Sequence, residues 1–163
     1  MSKETPCTDV SKRDIISKYF DMIYRLALSR TGDKAHADDV TQEVFLRYIQ
    51  QKRTFESEEH IKAWLLRVTI NCSKDVFTNS WFQKTVPLTE DLEFTTPEKG
   101  DVYYATMELP QKYRTVIHLF YYEDFSTKEI AEYLKLKEST VRSLLHRGRE
   151  LLKNKLKEGY DFV

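Results

Sequence analysis

Glycine and proline are scarce in this chain, with four of each among 163 residues. Sheets joined by many tight turns draw heavily on both, so the scarcity disfavours a β-sandwich or barrel and favours helices. Cysteine occurs twice, as Cys7 and Cys72. The pair makes no CxxC and has no metal-ligand spacing with His36, His60, His118 or His146. No metal and no cofactor is expected, and Cys72 reads as a core thiol. No apolar run approaches the roughly 20 residues that a bilayer-spanning helix needs. The first ten residues hold no apolar stretch of signal-peptide length. The expectation is a cytoplasmic protein without membrane insertion. Phosphate loops of the GxxxxGK[ST] type, GxGxxG, HExxH and nucleophile elbows are all absent, so nothing marks an enzyme.

Net charge is also lacking: 26 Lys and Arg face 26 Asp and Glu. That balance at first argues against a nucleic-acid partner, but it hides a segregation. Residues 110–157 carry eleven basic against six acidic side chains, whereas residues 83–101 carry two against five. A basic end joined to an acidic connector is the informative pattern.

Apolar spacing is helical on both sides of that connector. Ile15, Ile16, Tyr19, Phe20, Ile23, Tyr24 and Ala27 recur at three- and four-residue steps, and Thr31-Gly32-Asp33 punctuates them. A second helix places Val40, Val44, Phe45, Tyr48 and Ile49 on one side. A third, from about Glu58, has Ile61, Trp64, Leu65, Val68 and Cys72 as its core face, with Arg67, Asn71, Lys74 and Asp75 opposite. The pattern lapses where Pro87, Pro97 and Gly100 fall among acids. It resumes near Val102, and Pro110 suits the first turn of a further helix with Val116, Ile117, Phe120 and Tyr121 inward. The expected fold is all-α: two small helical domains, residues 11–82 and 102–158, joined by a flexible linker at 83–101. Each half is short enough to bury only a modest core.

The last third is the most readable. Ser126-Thr127-Lys128-Glu129 has the form of a capping box. A short helix follows, with Ile130, Ala131 and Leu134 inward, and Lys135 to Glu138 makes a turn. Ser139 or Thr140 can cap a second helix with the apolar stripe Val141, Leu144, Leu145, Gly148, Leu151 and Leu152. Its other face carries Arg142, Ser143, His146, Arg147 and Arg149. Two short helices joined tightly, the second basic on its exposed side, make a helix-turn-helix whose second helix can enter the major groove. Arginine offers the paired donors that guanine accepts, and Ser and His can reach bases or phosphates. A plain surface hairpin with a solvated basic face is the competing reading.

The order Leu109-Pro110, Tyr113-Arg114, Phe125-Ser126, Glu129-Ile130-Ala131, Thr140-Val141-Arg142, His146-Arg147 and Arg149 resembles region four of bacterial RNA polymerase sigma factors. Independently, Ala37-Asp38-Asp39-Val40-Thr41-Gln42-Glu43-Val44-Phe45, then Phe55, Ile61-Lys62-Ala63-Trp64-Leu65, Asn71 and Asp75 resemble region two. The resemblance runs from about Asp14 to Lys157. With no other sigma regions evident, it points to the extracytoplasmic-function (ECF) subfamily of the sigma-70 family.

The resemblance implies a non-enzymatic subunit that binds core RNA polymerase, through its clamp helices and flap, and directs it to promoter DNA. An anti-sigma factor is a further implied partner. By position, Asp38, Asp39, Gln42 and Glu43 fall on the core-binding helix, although each acid taken singly reads better as a solvated position. Phe55, Glu56, Ser57 and Asn71 fall around the pocket for an extruded base of the minus-ten element. There an aromatic ring and an amide can recover the stacking and edge hydrogen bonds lost on melting. A core aromatic and a solvated helix position are the plainer readings of Phe55 and Asn71. Thr140, Arg142, Ser143, His146, Arg147 and Arg149 fall on the reader of the minus-thirty-five element.

Two positions depart from the family pattern. Lys135 stands where the helix-turn-helix usually has glycine, so a left-handed backbone there would strain it. After Asp75 a basic run is replaced by Val76-Phe77-Thr78-Asn79-Ser80-Trp81-Phe82-Gln83-Lys84. A conventional helix-turn-helix regulator is the rival function. It accounts for the C-terminal third but not for the region-two pattern. An anti-sigma decoy retaining the fold is a third reading.

Overall fold

The computed structural model describes residues 9–75 and 101–159, and within them every regular element is helical. The N-terminal unit is α1 (Asp9–Thr31), α2 (Lys34–Gln50) and α3 (Glu58–Asp75). The C-terminal unit is α4 (Asp101–Met107), α5 (Gln111–Ile117), a π-helical turn (His118–Tyr122), α6 (Thr127–Leu134) and α7 (Glu138–Gly159). Most of the expected linker lies outside the described residues, as do Cys7 and the segment from Val76 to Lys84.

Local chemistry sets the boundaries. Gly32 adopts φ +81° and its amide closes α1 on Leu28 O at 2.9 Å. Glycine enters that left-handed conformation without a side-chain penalty. Asp33 then caps α2, its Oδ1 accepting from the His36 amide at 2.9 Å. Ser57 begins α3 in the same way, accepting from the His60 amide at 3.2 Å. Pro110 precedes α5, where its missing N–H costs no intrahelical bond.

In the first unit Ile23, Leu26, Val40, Val44, Leu65 and Leu66 are essentially inaccessible to solvent, and Cys72 is buried as expected. In the second, Leu109, Val116, Leu119, Ile130, Val141 and Leu145 play that part. Gly148 lets α7 approach α5: a side-chain carbon there would lie 2.8 Å from Ile117 Cδ1. Several residues assigned to apolar stripes by spacing are exposed instead, namely Phe20, Ile49, Tyr121 and Leu151. Conversely α3 buries a wider face than its stripe predicted, adding Leu66, Thr69, Ile70 and Ser73.

The wider face has a cause in tertiary packing. The two units meet along the C-terminal half of α1 and the adjoining face of α3, and their buried residues form one continuous cluster. The seam is largely polar. Arg30 is buried, donating from Nε to Ser73 Oγ at 2.8 Å and from Nη1 to Thr115 Oγ1 at 2.9 Å. The carbonyl of Arg30, at the end of α1, accepts from Arg114 Nη2 at 2.8 Å and Gln111 Nε2 at 3.0 Å. The second unit therefore caps the first helix, whose last carbonyls lack intrahelical partners. Arg25 pairs with Glu123 at 2.9 Å, and the His118 ring faces the same carboxylate at 3.4 Å. Lys62 of α3 sits 4.5 Å above the Phe125 ring.

Candidate nucleic-acid interface

The helix-turn-helix is built as its sequence dictates. Ser126 Oγ accepts from the Glu129 amide, while the Glu129 carboxylate accepts from the Ser126 amide. Lys135 closes α6 in the left-handed region, φ 56° and ψ 45°, and the Leu136 amide returns to Ala131 O at 2.9 Å. The strain expected of lysine at this turn is present. Thr127 Oγ1 donates to Glu138 at 2.9 Å, tying the start of α6 to the start of α7.

On α7 the residues Ser139, Arg142, Ser143, His146 and Arg147 line one shallow groove. Their spacing of three and four puts them on one face, opposite buried Val141 and Leu145. All are exposed, as is Thr140 on the flank. Arg142 is held by Glu138 one turn back at 3.2 Å. Such a pair is weak in solvent and yields readily to a base edge or a phosphate. Arg149 departs from this group. Its guanidinium lies 5.8 Å from the Phe120 ring centroid and 5.7 Å from that of Tyr121. It borders a second, apolar groove of about 580 Å³, lined by Val102, Ile117, Tyr121, Tyr122, Leu152 and Leu156, with Lys153 and Lys157 on its rim. Sequence spacing missed this groove because it treated Tyr121 as core. The signal available was the exposed aromatic pair Tyr121-Tyr122 beside a basic helix.

The α2 acids are less open than their helical positions suggested. Gln42 is exposed, whereas Asp38, Asp39 and Glu43 are half-buried. Burial raises the Asp39 carboxyl above its usual value, and its Oδ2 has no hydrogen-bond partner among the described residues. Glu43 pairs with Arg47 within the helix at 2.8 Å.

The minus-ten candidates divide by role. Phe55 packs among rings, 6.3 Å from Tyr48, 5.8 Å from Trp64 and 5.5 Å from His60, with the last two met edge-on. It is only partly covered, so it serves the core while keeping an open side. Ser57 is occupied as the cap of α3, and Glu56 is exposed. Glu58, just beyond, is tied to α1 by Lys18 and by Tyr19 Oη at 3.0 Å, which fixes the loop. Asn71 is exposed two turns after Trp64, so the two share a face about 10 Å apart along the axis. The missing basic run and the Trp81-Phe82 pair lie outside the described residues.

Among the described residues no helix is long and apolar enough to cross a membrane, and no group of three or more His, Cys, Asp or Glu could hold a metal ion.

Comparisons with known proteins agree with this architecture. The sigma-70 region 2 family matches residues 15–82, and the sigma-70 region 4 family matches residues 99–152. The ECF RNA polymerase sigma factor SigW of Bacillus subtilis is 30% identical over 165 residues, covering 89% of this chain and 88% of the relative. The ECF RNA polymerase sigma factor SigL of Mycobacterium tuberculosis is 31% identical over 157 residues, covering 90% and 89%. Two solved structures share the fold with TM-scores of 0.70 at 20% identity. One is the sigma factor RpoE of Bartonella quintana in complex with the anti-sigma factor NepR, covering 89% of this chain and 96% of that one. The other is CnrH in complex with the cytosolic domain of CnrY, covering 93% and 91%.

Proposed function

This chain belongs to the ECF sigma factors of the sigma-70 family, and from that membership we propose that it binds core RNA polymerase in the cytoplasm, carries it to promoter DNA and supports opening of the duplex. Sigma factors are non-enzymatic subunits that serve transcription initiation, and this chain has that function.

The observation that carries the reading is the exposed face of α7. Arg142, Ser143, His146 and Arg147 project together from a helix-turn-helix whose turn and cap are fully formed. That face suits the major groove at the minus-thirty-five element, with Thr140 toward the backbone. Arg149 has a second role, at the border of the apolar groove. The groove with its basic rim suits an amphipathic segment with acidic flanks, and we assign it to the polymerase flap. Asp38, Asp39, Gln42 and Glu43 face the clamp helices in this reading. Phe55 and Asn71 take an extruded base of the minus-ten element between them, with Glu56 at the rim and Ser57 fixing the loop through its cap. An anti-sigma factor is a further proposed partner, because RpoE was solved with the anti-sigma factor NepR bound.

Reconstituted transcription tests the reading. Core polymerase with this chain should initiate at a discrete promoter set on which core alone is silent. The free chain, with no net charge, should hold duplex promoter weakly. Tight sequence-specific binding by the free chain, with no affinity for core polymerase, would support a conventional regulator instead.

A further inference from the structure

We propose that Lys12, Lys18 and Tyr19 of α1 are positioning residues for capture of the minus-ten base. They brace both roots of the segment 51–57 that carries Phe55, and so hold Phe55 in register with Asn71. This deepens the function proposed above and rests on it.

The segment needs a brace because it has no core of its own. Residues 52–57, between the end of α2 and the start of α3, are all exposed except Phe55, which is half-buried. The side-chain bonds at its ends are local. The Arg53 amide donates to Gln51 Oε1 at 2.8 Å, and the His60 amide donates to Ser57 Oγ at 3.2 Å. Bonds of this kind shape a turn without fixing where the turn stands against the rest of the unit.

Both roots are fixed from α1. At the first, Lys12 Nζ donates to Ile49 O at 3.0 Å and to Gln51 O at 3.5 Å. These carbonyls lie at the end of α2, where a helix lacks its own donors and its dipole favours a cation. The same ammonium stands 5.9 Å from the centroid of the Tyr48 ring. Tyr48 is buried and lies against Phe55 at 6.3 Å and Trp64 at 6.1 Å. At the second root, Glu58 accepts from Lys18 and from Tyr19 Oη at 3.0 Å. Lys18 foremost, then Tyr19, holds the Glu58 carboxyl below its usual value. Burial, and then Glu58, pushes the Tyr19 hydroxyl up to about 12. At neutral pH the carboxylate therefore stays charged and the hydroxyl stays a donor. Lys12 and Tyr19 are seven positions apart, so they share one face of α1 across about two turns. A single helix thus sets the two roots relative to each other.

The contacts suit placement better than stability. Lys18 and Glu58 are both well exposed, and an exposed pair contributes little to the folded state. A binding site, by contrast, depends on holding its groups within about 0.5 Å of the productive geometry. None of the three side chains is among those proposed to meet DNA, so each acts through Phe55.

The test uses holoenzyme assembled from core polymerase and the full chain. The probe is a pool of single-stranded DNA with a randomised stretch between fixed flanks. The unaltered holoenzyme should enrich a motif, and the position whose selection Asn71→Ala abolishes is the captured base. Lys12→Met should relax preference at that position roughly fivefold, the low end of what one stacked base contributes. Lys18→Met combined with Tyr19→Phe should do the same from the other root. Selection at the other positions and affinity for core polymerase should not change, and the thermal midpoint should move little. Lys12→Arg, which can still donate to the α2 carbonyls, should keep the preference. Full selectivity in both Lys12→Met and the double variant overturns the brace. So does an equal loss at every position, or a loss that follows a lowered thermal midpoint, because a merely stabilising contact would give that. If the variants select as the unaltered chain does while Asn71→Ala does not, base capture stands and only the brace falls. If the unaltered holoenzyme enriches no motif, base capture falls and the brace falls with it.

Discussion

Ser126 and Glu129 satisfy each other twice, each side chain accepting from the other residue's amide at 3.1 Å. The box starts α6, whose Ile130 and Ala131 are buried and which supports the exposed face of α7. Ser126→Ala removes one half of it. The expected loss is about 1 kcal/mol of stability, read as a lowered urea midpoint with an unchanged slope. Use of the minus-thirty-five element should weaken at temperatures near the lowered midpoint and be normal well below it.

Lys135 presents the opposite case. It holds φ 56° at the end of α6, where a side chain crowds its own carbonyl. Lys135→Gly removes a penalty of about 1–2 kcal/mol and adds an unfolded-state entropy cost of roughly 0.5–1 kcal/mol. A net gain of up to about 1.5 kcal/mol should appear as a raised thermal midpoint. The side chain is exposed and no DNA contact is assigned to it, so promoter affinity should not change.

What could be read from the sequence was local. The Ser126 box, the Gly32-Asp33 break and the Lys135 turn each depend on residues within five positions, and each forms as its chemistry requires. The α7 face followed from period alone. The seam could not be read that way, because Arg30 meets Thr115 85 positions away and Arg25 meets Glu123 98 positions away. An arginine in a helical stripe looks like a surface residue until a second unit covers it. Apolar spacing also cannot separate a side chain facing the core from one facing a partner. Ile49, Tyr121 and Leu151 were assigned inward for that reason and are exposed.

Asp39 is raised by burial first, with Asp38 and Asp33 adding to the rise against an opposing contribution from His36. The folded chain therefore holds this proton more tightly than the unfolded one. The contribution of Asp39 to stability should increase as pH falls through the carboxylate range, against the opposite contributions of Glu58 and Glu123, whose carboxyls are lowered. Asp39→Asn should remove that slope and gain less than about 1 kcal/mol at neutral pH, since the site is partly solvated. The same variant should slow association with core polymerase and flatten its salt dependence, if the acid steers docking. Urea titrations across pH 4 to pH 7 and stopped-flow binding at two salt concentrations check the two halves separately.

The two DNA-reading units should fail differently. Arg142→Ala or Arg147→Ala should weaken use of the upstream element by about 1–3 kcal/mol where the lost contact is a forked pair to guanine, and by less where it is to phosphate. Both side chains are exposed on α7, so neither change should disturb the core. Asn71→Ala should leave duplex binding nearly intact and impair opening, because the base it meets is available only after melting. Asn71 is likewise exposed, so the fold should be unaffected. Holoenzymes carrying each variant are compared on one promoter as closed duplex and with a pre-melted bubble at the minus-ten element. The bubble should partly rescue Asn71→Ala, leaving only the loss of direct base contact. It should not restore upstream recognition to either arginine variant. Equal losses by all three variants on both templates would show one continuous DNA-reading surface rather than two.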